Sequence, residues 1–300
     1  MMRSNLTFAC VAILATSAAT AAPPASNCSD QFNASPINVR YDPLGDQARN
    51  YVVVPVTLTG TAYGDTQLHA EFADQELTSP VRIGTHGPIY DLQRSGTVVK
   101  PGTGIFDPGF AFHYTFNNNG IAEPISGIQL LIDPGQDVAA GVYGESLDMV
   151  YRCQDPQSIY TQSAVLQITV DVPSSLTASL AGGSASGTLD FADFSSLSRS
   201  VQVNVYATGP YALSVVSLNA QKMKLADAPA GAAGNANAEI GYTITFNGAA
   251  VSTAASAHFA RTGVLGAHLP LAVTAESVAG KRAGAYHDTL TLTFTPLATL

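Results

Sequence analysis

The side chains best suited to hold a metal or move a proton are six histidines: His69, His86, His113, His258, His268 and His287. No two of them stand at the H-x-x-x-H spacing of a metal site, and none adjoins a cysteine, so each reads as a surface or strand residue. Asp42, Asp133 and Asp137 would be the candidates for paired carboxylates. Asp42 and Asp133, however, each open an Asp-Pro turn, which accounts for them without chemistry. Asp288 follows Tyr286 at the start of a strand-like run and reads as structural rather than as an acid catalyst. No G-x-S-x-G elbow, phosphate-cradling glycine loop or S-x-x-K appears in a supporting context. The sequence therefore assigns no catalytic residue, no metal ligand and no cofactor, and the chain is not read as an enzyme.

The cysteines point to structure instead. Cys10 falls in an N-terminal segment with the build of a secretory signal: Arg3, an apolar stretch from Leu6 to Leu14, and the small-x-small site Ala19-Thr20-Ala21. Residues 1–21 are expected to be removed, and nothing later reaches the roughly 18 consecutive apolar residues of a spanning helix. Cys28 and Cys153 remain, an even pair in an oxidising compartment, and they predict one disulfide. Closing so long a loop contributes at most about 4 to 5 kcal/mol in the loop-entropy picture.

Composition narrows the class further. The chain has 300 residues, enough for two domains of moderate size, and is 46% hydrophobic but only 12% charged, against roughly 25% charged in typical soluble domains. Its net charge of −9 is unevenly placed. Residues 22–172 hold six Lys and Arg against sixteen Asp and Glu, a net −10, whereas residues 173–300 hold six of each sign. Such a balance disfavours a nucleic-acid partner, which requires a cationic face.

The stretch that organises the chain is Ala283 to Phe294. There Leu290, Leu292 and Phe294 alternate with Thr289, Thr291 and Thr293, the period of a strand with one buried face. A close copy lies at Ile132 to Tyr151, where Gly-x-Tyr and an acidic residue precede alternating Leu147, Met149 and Tyr151. The chain thus reads as two related β domains. After the first copy another strand-like run follows, Ser163 to Val172, with Val165, Ile168 and Val170 within it. That run either closes the first domain or begins the second.

Between these landmarks the turns come every ten residues or so. Tyr51 to Thr59 is a strand whose Pro55 demands an edge or a bulge. Gly104 to Asn119 carries five aromatic residues. Phe110, Phe112, Tyr114 and Phe116 read as an aromatic core face, and Phe106 with its Asp-Pro-Gly turn reads either as part of it or as a loop tip that touches a ligand. In the second half, Thr188 to Phe191 resembles a short strand. Ser200 to Tyr206 and Tyr211 to Ser217 flank Thr208-Gly209-Pro210 in the manner of a hairpin, and Asn247-Gly248 is a strong two-residue turn. With no convincing helix, the expected fold is all-β: two Ig-like antiparallel β-sandwiches, residues 22–172 and 173–300, the second lacking its final strand.

These residues resemble a known family. Pro134-Gly135-Gln136, Ala140-Gly141-Val142-Tyr143 and the alternation after them are similar to the end of the spore coat protein U domain, and Ala283 to Phe294 is similar to the same element again. Cys28 followed by Val39-Arg40-Tyr41-Asp42-Pro43 resembles that domain's opening. The second domain departs from the pattern in having neither cysteine. Proteins of this type resemble subunits of archaic chaperone-usher pili, which are secreted, Ig-like and non-enzymatic.

The resemblance implies partners as well as a fold. A sandwich without its last strand exposes an apolar groove and unpaired backbone, and a pilin fills it with a strand from a periplasmic chaperone or a neighbouring subunit. Leu290, Leu292 and Phe294 are expected to line that groove. Ala22 to Asn27 is too short and featureless to act as a donor arm, which points to a tip subunit reaching the cell surface through the periplasm and an outer-membrane usher. Tyr63, Tyr90 and Phe106, read as aromatics on turns of the first domain, are the candidates for contact with an unknown surface receptor. The competing readings are a secreted β-sandwich module that binds glycans or surfaces, and a coat or matrix protein.

Overall fold

A computed structural model describes residues 32–62, 66–73, 82–99, 111–117, 120–153, 160–227 and 235–298. Twelve strands precede Pro173 among them: β1 (Asn33–Ala34), β2 (Ile37–Arg40), β3 (Val52–Pro55), β4 (Leu58–Gly60), β5 (Gln67–Ala73), β6 (Tyr90–Arg94), β7 (Thr97–Val98), β8 (Phe112–Thr115), β9 (Glu123–Ile125), β10 (Ile128–Ile132), β11 (Gly141–Cys153) and β12 (Tyr160–Val172). Ten follow it: β13 (Leu176–Leu180), β14 (Ser198–Ala207), β15 (Tyr211–Ser217), β16 (Lys222–Leu225), β17 (Glu239–Phe246), β18 (Ala249–Val251), β19 (Ala257–Phe259), β20 (Gly263–Ala275), β21 (Tyr286–His287) and β22 (Leu290–Pro296). Among the described residues two short 3-10 turns interrupt this β pattern, Asp46–Ala48 and Ala236–Ala238. The protein is all-β and folds as two Ig-like sandwiches.

The first sandwich packs a five-stranded sheet, β2-β12-β11-β5-β8, against the sheets β3-β10-β6-β7 and β1-β4-β9. Its core draws on residues 32–172, among them Phe72, Phe116, Leu130, Leu147 and Leu166. Pro55 ends β3, which lies at the rim of its sheet, where a residue without an N–H costs no ladder bond. Phe112 and Phe116 are buried as the aromatic alternation requires, and Phe112 stacks on Phe72. The run at Ile125 to Ile132 is divided into β9 and β10 at Gly127, whose φ of +84° turns the chain between two sheets.

The closing run settles in the first sandwich. β12 pairs antiparallel with β11 on one side and parallel with β2 on the other. Its inward residues are Ala164, Leu166, Ile168, Val170 and Val172, all buried, whereas Val165 faces outward and is only half-buried. Cys153 is buried at the end of β11; Cys28 and the signal segment lie outside the described residues.

The second sandwich has a larger sheet, β13-β14-β20-β17-β16-β21 with β18 beside β17, and a smaller one, β19-β15-β22. Its core is built from Val203, Val205, Leu213, Ile244, Phe246 and their neighbours. Asn247 and Gly248 both have positive φ, 50° and 78°, the geometry of a two-residue hairpin. Thr188 to Phe191 forms no strand and runs irregularly, with Phe191 buried and stacked on Phe194.

The expected hairpin at Thr208-Gly209-Pro210 is not one. β14 and β15 belong to different sheets, and the turn carries the chain across the sandwich. The cause is Thr208, which is fully buried: its hydroxyl donates to Pro173 O and accepts from Ser175 N–H, and its carbonyl accepts from Ala140 N–H of the first sandwich. Bonds to the linker and the neighbouring domain replace those of a hairpin.

Candidate functional site

β22 lies where the predicted open edge should be. It pairs antiparallel with β15, Leu290 opposite Ser217 and Phe294 opposite Leu213. Among the described residues no strand pairs with its other edge. β13 approaches from that side without bonding to it, and between them opens a cavity of about 840 Å³. Leu290, Leu292 and Phe294 line it together with Leu180, Leu189 and Phe191.

The backbone of β22 is presented in step with its side chains. Thr289 O accepts from Leu218 N–H, and Leu297 N–H donates to Pro210 O, so the odd-numbered residues exchange bonds with β15. Antiparallel pairing alternates these directions, which leaves the N–H and C=O groups of Leu290, Leu292 and Phe294 aimed at the slot. An extended segment lying there would meet a ladder and an apolar floor at once.

The first sandwich provides an internal comparison. Tyr143, Leu147, Met149 and Tyr151 of β11 correspond, at one constant interval, to Tyr286, Leu290, Leu292 and Phe294. Under β12, Leu147 and Met149 are wholly buried and Tyr151 is 2% exposed; Leu290, Leu292 and Phe294 are only half-buried. Among the described residues, the difference between the two halves is a strand on the second edge, which β11 has and β22 does not.

Both ends of the slot are anchored. At the domain junction, Ser174 Oγ donates to Leu297 O at 2.7 Å. At the far end, Asp288 accepts from Tyr242 Oη at 2.5 Å, Ser217 Oγ at 2.6 Å, Asn219 N–H at 3.0 Å and Thr289 N–H at 2.7 Å. Burial, and next the bond to Asp288, raise the pKa of the Tyr242 hydroxyl well above its ordinary value, so it stays a donor.

The adhesion candidates fare differently. Tyr90 is not on a turn. It sits in β6, opposite Ile132 of β10, with 2% of its surface exposed, because its alternation with Leu92 turns it into the core. Tyr63 and Phe106 lie outside the described residues. The fold also joins residues that spacing did not connect: His69 of β5 and His113 of β8 are cross-strand neighbours with ring centroids 4.3 Å apart. His69 also stands opposite Arg152 of β11. Burial, and after it His113 and Arg152, lower the pKa of His69. Among the described residues no three His, Cys, Asp or Glu side chains are grouped to hold a metal.

No protein-family model matches the chain, and no curated protein matches it. Several solved structures are similar. The complex of the CsuC chaperone with the CsuE tip adhesion subunit, from archaic chaperone-usher Csu pili of Acinetobacter baumannii, aligns over 88% of this chain and 100% of that one, at 11% identity and a TM-score of 0.40. CfaE, the adhesive subunit of CFA/I fimbria of enterotoxigenic Escherichia coli, aligns over 88% and 93%, at 12% identity and 0.40. The CupB6 tip adhesin of Pseudomonas aeruginosa aligns over 90% and 95%, at 13% identity and 0.37. Identities and TM-scores of this size do not assign the chain to the group of any of them.

Proposed function

We propose that this chain is a two-domain, non-enzymatic subunit of a chaperone-usher pilus, in which residues 173–300 accept a β-strand from another protein and residues 22–172 form the outer, adhesive domain. The observation that carries the reading is the one-sided pairing of β22 beside an apolar slot. An unpaired, apolar strand edge is an aggregation hazard in a lone protein and a binding site in one that takes a strand from a partner. The first sandwich supplies the pattern for that strand. β12 runs antiparallel to β11 and parallel to β2, so an incoming segment would run antiparallel to β22, alongside β13.

The partners in this reading are a periplasmic chaperone that occupies the slot in transit, an outer-membrane usher, and the neighbouring subunit whose arm takes the chaperone's place. Secretion would follow removal of residues 1–21, and Cys28 would pair with Cys153.

The test is to incubate the purified protein with a peptide of alternating apolar residues copying a donor arm. At a hundred times its dissociation constant, such a ligand stabilises by about 2.7 kcal/mol, or about 10 °C in the melting of a domain this size. A melting temperature unmoved by any such peptide, in a stable monomer, would favour a self-contained secreted binding module instead.

A further inference from the structure

The far end of the slot is built around one carboxylate. Asp288 takes four hydrogen bonds from three places: Tyr242 of β17 in the larger sheet, Ser217 and Asn219 at the end of β15 in the smaller sheet, and the N–H of Thr289 at the start of β22. Ser217 Oγ also accepts from Gln221 N–H at 2.6 Å, which ties in the turn after β15. Asp288 and Tyr242 both line the slot. Together they bridge the two sheets at the edge where, among the described residues, β22 has no second partner strand.

An apolar cleft left empty in water gains by closing, since closure removes apolar surface from solvent. Here the carboxylate bridge at one end and the Ser174 to Leu297 bond at the other hold the flanking elements in place. The completed sandwich has an acidic residue at the corresponding position: Glu145, 8% exposed, accepts from Gly84 N–H at 2.8 Å, and it stands opposite Ile168 of its closing strand.

We propose that Asp288 and Tyr242 are positioning residues that keep the empty slot open, and so set the rate at which a strand is accepted. This rests on the reading of the slot as a strand acceptor. Without the bridge the open form is a fraction of the population, and apparent affinity falls by that fraction. The loss appears in association, because an incoming segment must wait for the slot to open. A purely structural role would lower the melting temperature and leave association unchanged.

The probe is a synthetic peptide copying Ser163 to Val172, the run that closes the first sandwich. Its binding to the whole mature chain is followed by stopped-flow fluorescence in wild type, Tyr242→Phe and Asp288→Asn. Glu239→Gln, which removes the ion pair with Lys222 away from the slot wall, is the control. The expected result is association about tenfold slower in Tyr242→Phe, with dissociation changed less than about twofold and the control at the wild-type rate. Equal association rates in all proteins, or an affinity loss carried by dissociation alone, overturn the inference while leaving strand acceptance intact. No saturable binding to wild type overturns strand acceptance and the inference together. If Asp288→Asn fails to fold, Tyr242→Phe, which loses one hydroxyl, decides the matter.

Discussion

Leu147 and Leu290 hold the same position in two copies of one strand, yet Leu147 is wholly buried opposite Leu166 of β12 while Leu290 is half-buried beside an open slot. Their sequence settings are nearly alike, since each follows Gly-x-Tyr, one residue, an acidic residue and one further residue. The difference is therefore not in the strand but in what lies next to it. Among the described residues, the strand is paired on both edges in the first sandwich and on one edge in the second.

Placing a charge in the slot should disable it. Leu292→Asp puts a carboxylate between the two sheets with no lysine or arginine among the described residues that line the slot, and an unpaired charge in such surroundings costs several kcal/mol. The variant should be recovered from the periplasm in strongly reduced amounts, and whatever is recovered should not be stabilised by a donor peptide. Wild-type yield together with wild-type peptide response would contradict the site.

The first sandwich should depend on its own closing strand alone. Ile168 is 1% exposed, opposite Glu145 of β11 and Ile37 of β2. Ile168→Ala should cost about 2–5 kcal/mol, as truncation of a well-packed core residue does. Scanning calorimetry should place the loss in one melting transition and leave the peptide-induced shift of the other in place. A loss of the peptide response would mean that the two closures are not independent.

Much of this arrangement was legible in period-two alternation. The threonine and leucine run of β22 and the long run of β12 each declared a strand with one apolar face. What alternation cannot convey is which sheet a strand joins. Thr208-Gly209-Pro210 has the residues of a hairpin, but the buried Thr208 hydroxyl bonds to the linker, and the chain crosses to the opposite sheet. The Asp288 bridge was equally hidden, because Tyr242, Ser217 and Asp288 lie far apart in sequence. Tyr90 was misread because an aromatic near turn residues looks the same whether its strand turns it outward or inward.

The junction between the sandwiches depends on a glycine. Gly263 has φ +77°, and a Cβ there would lie 2.6 Å from Asp137 Oδ1. That same carboxylate oxygen accepts from Arg261 and, at 3.1 Å, from Val264 N–H. Gly263→Ala should cost about 1–2 kcal/mol from backbone conformation alone, and displace Asp137 as well. Asp137→Ala, which removes a largely exposed pair, should cost about 0.2–1 kcal/mol. Thermal unfolding of the two variants should show the glycine change to be the more damaging; the reverse order would mean that the loop does not need the left-handed backbone.

Acid should weaken the first sandwich through His69. Its pKa lies below the ordinary histidine value in the folded protein, chiefly through burial and then through His113 and Arg152, so the unfolded chain takes up a proton first as pH falls. Where the unfolded state binds more protons, stability rises with pH. The loss should therefore begin near the unfolded pKa of about 6.5 and level off below the lowered folded value. Asp91, whose strand belongs to another sheet, does not share this row; Glu71, two residues along β5, is buried. His69→Gln removes the titrating group, and its denaturation midpoint should change less between pH 7 and pH 5 than that of wild type. Equal slopes would place the pH dependence elsewhere.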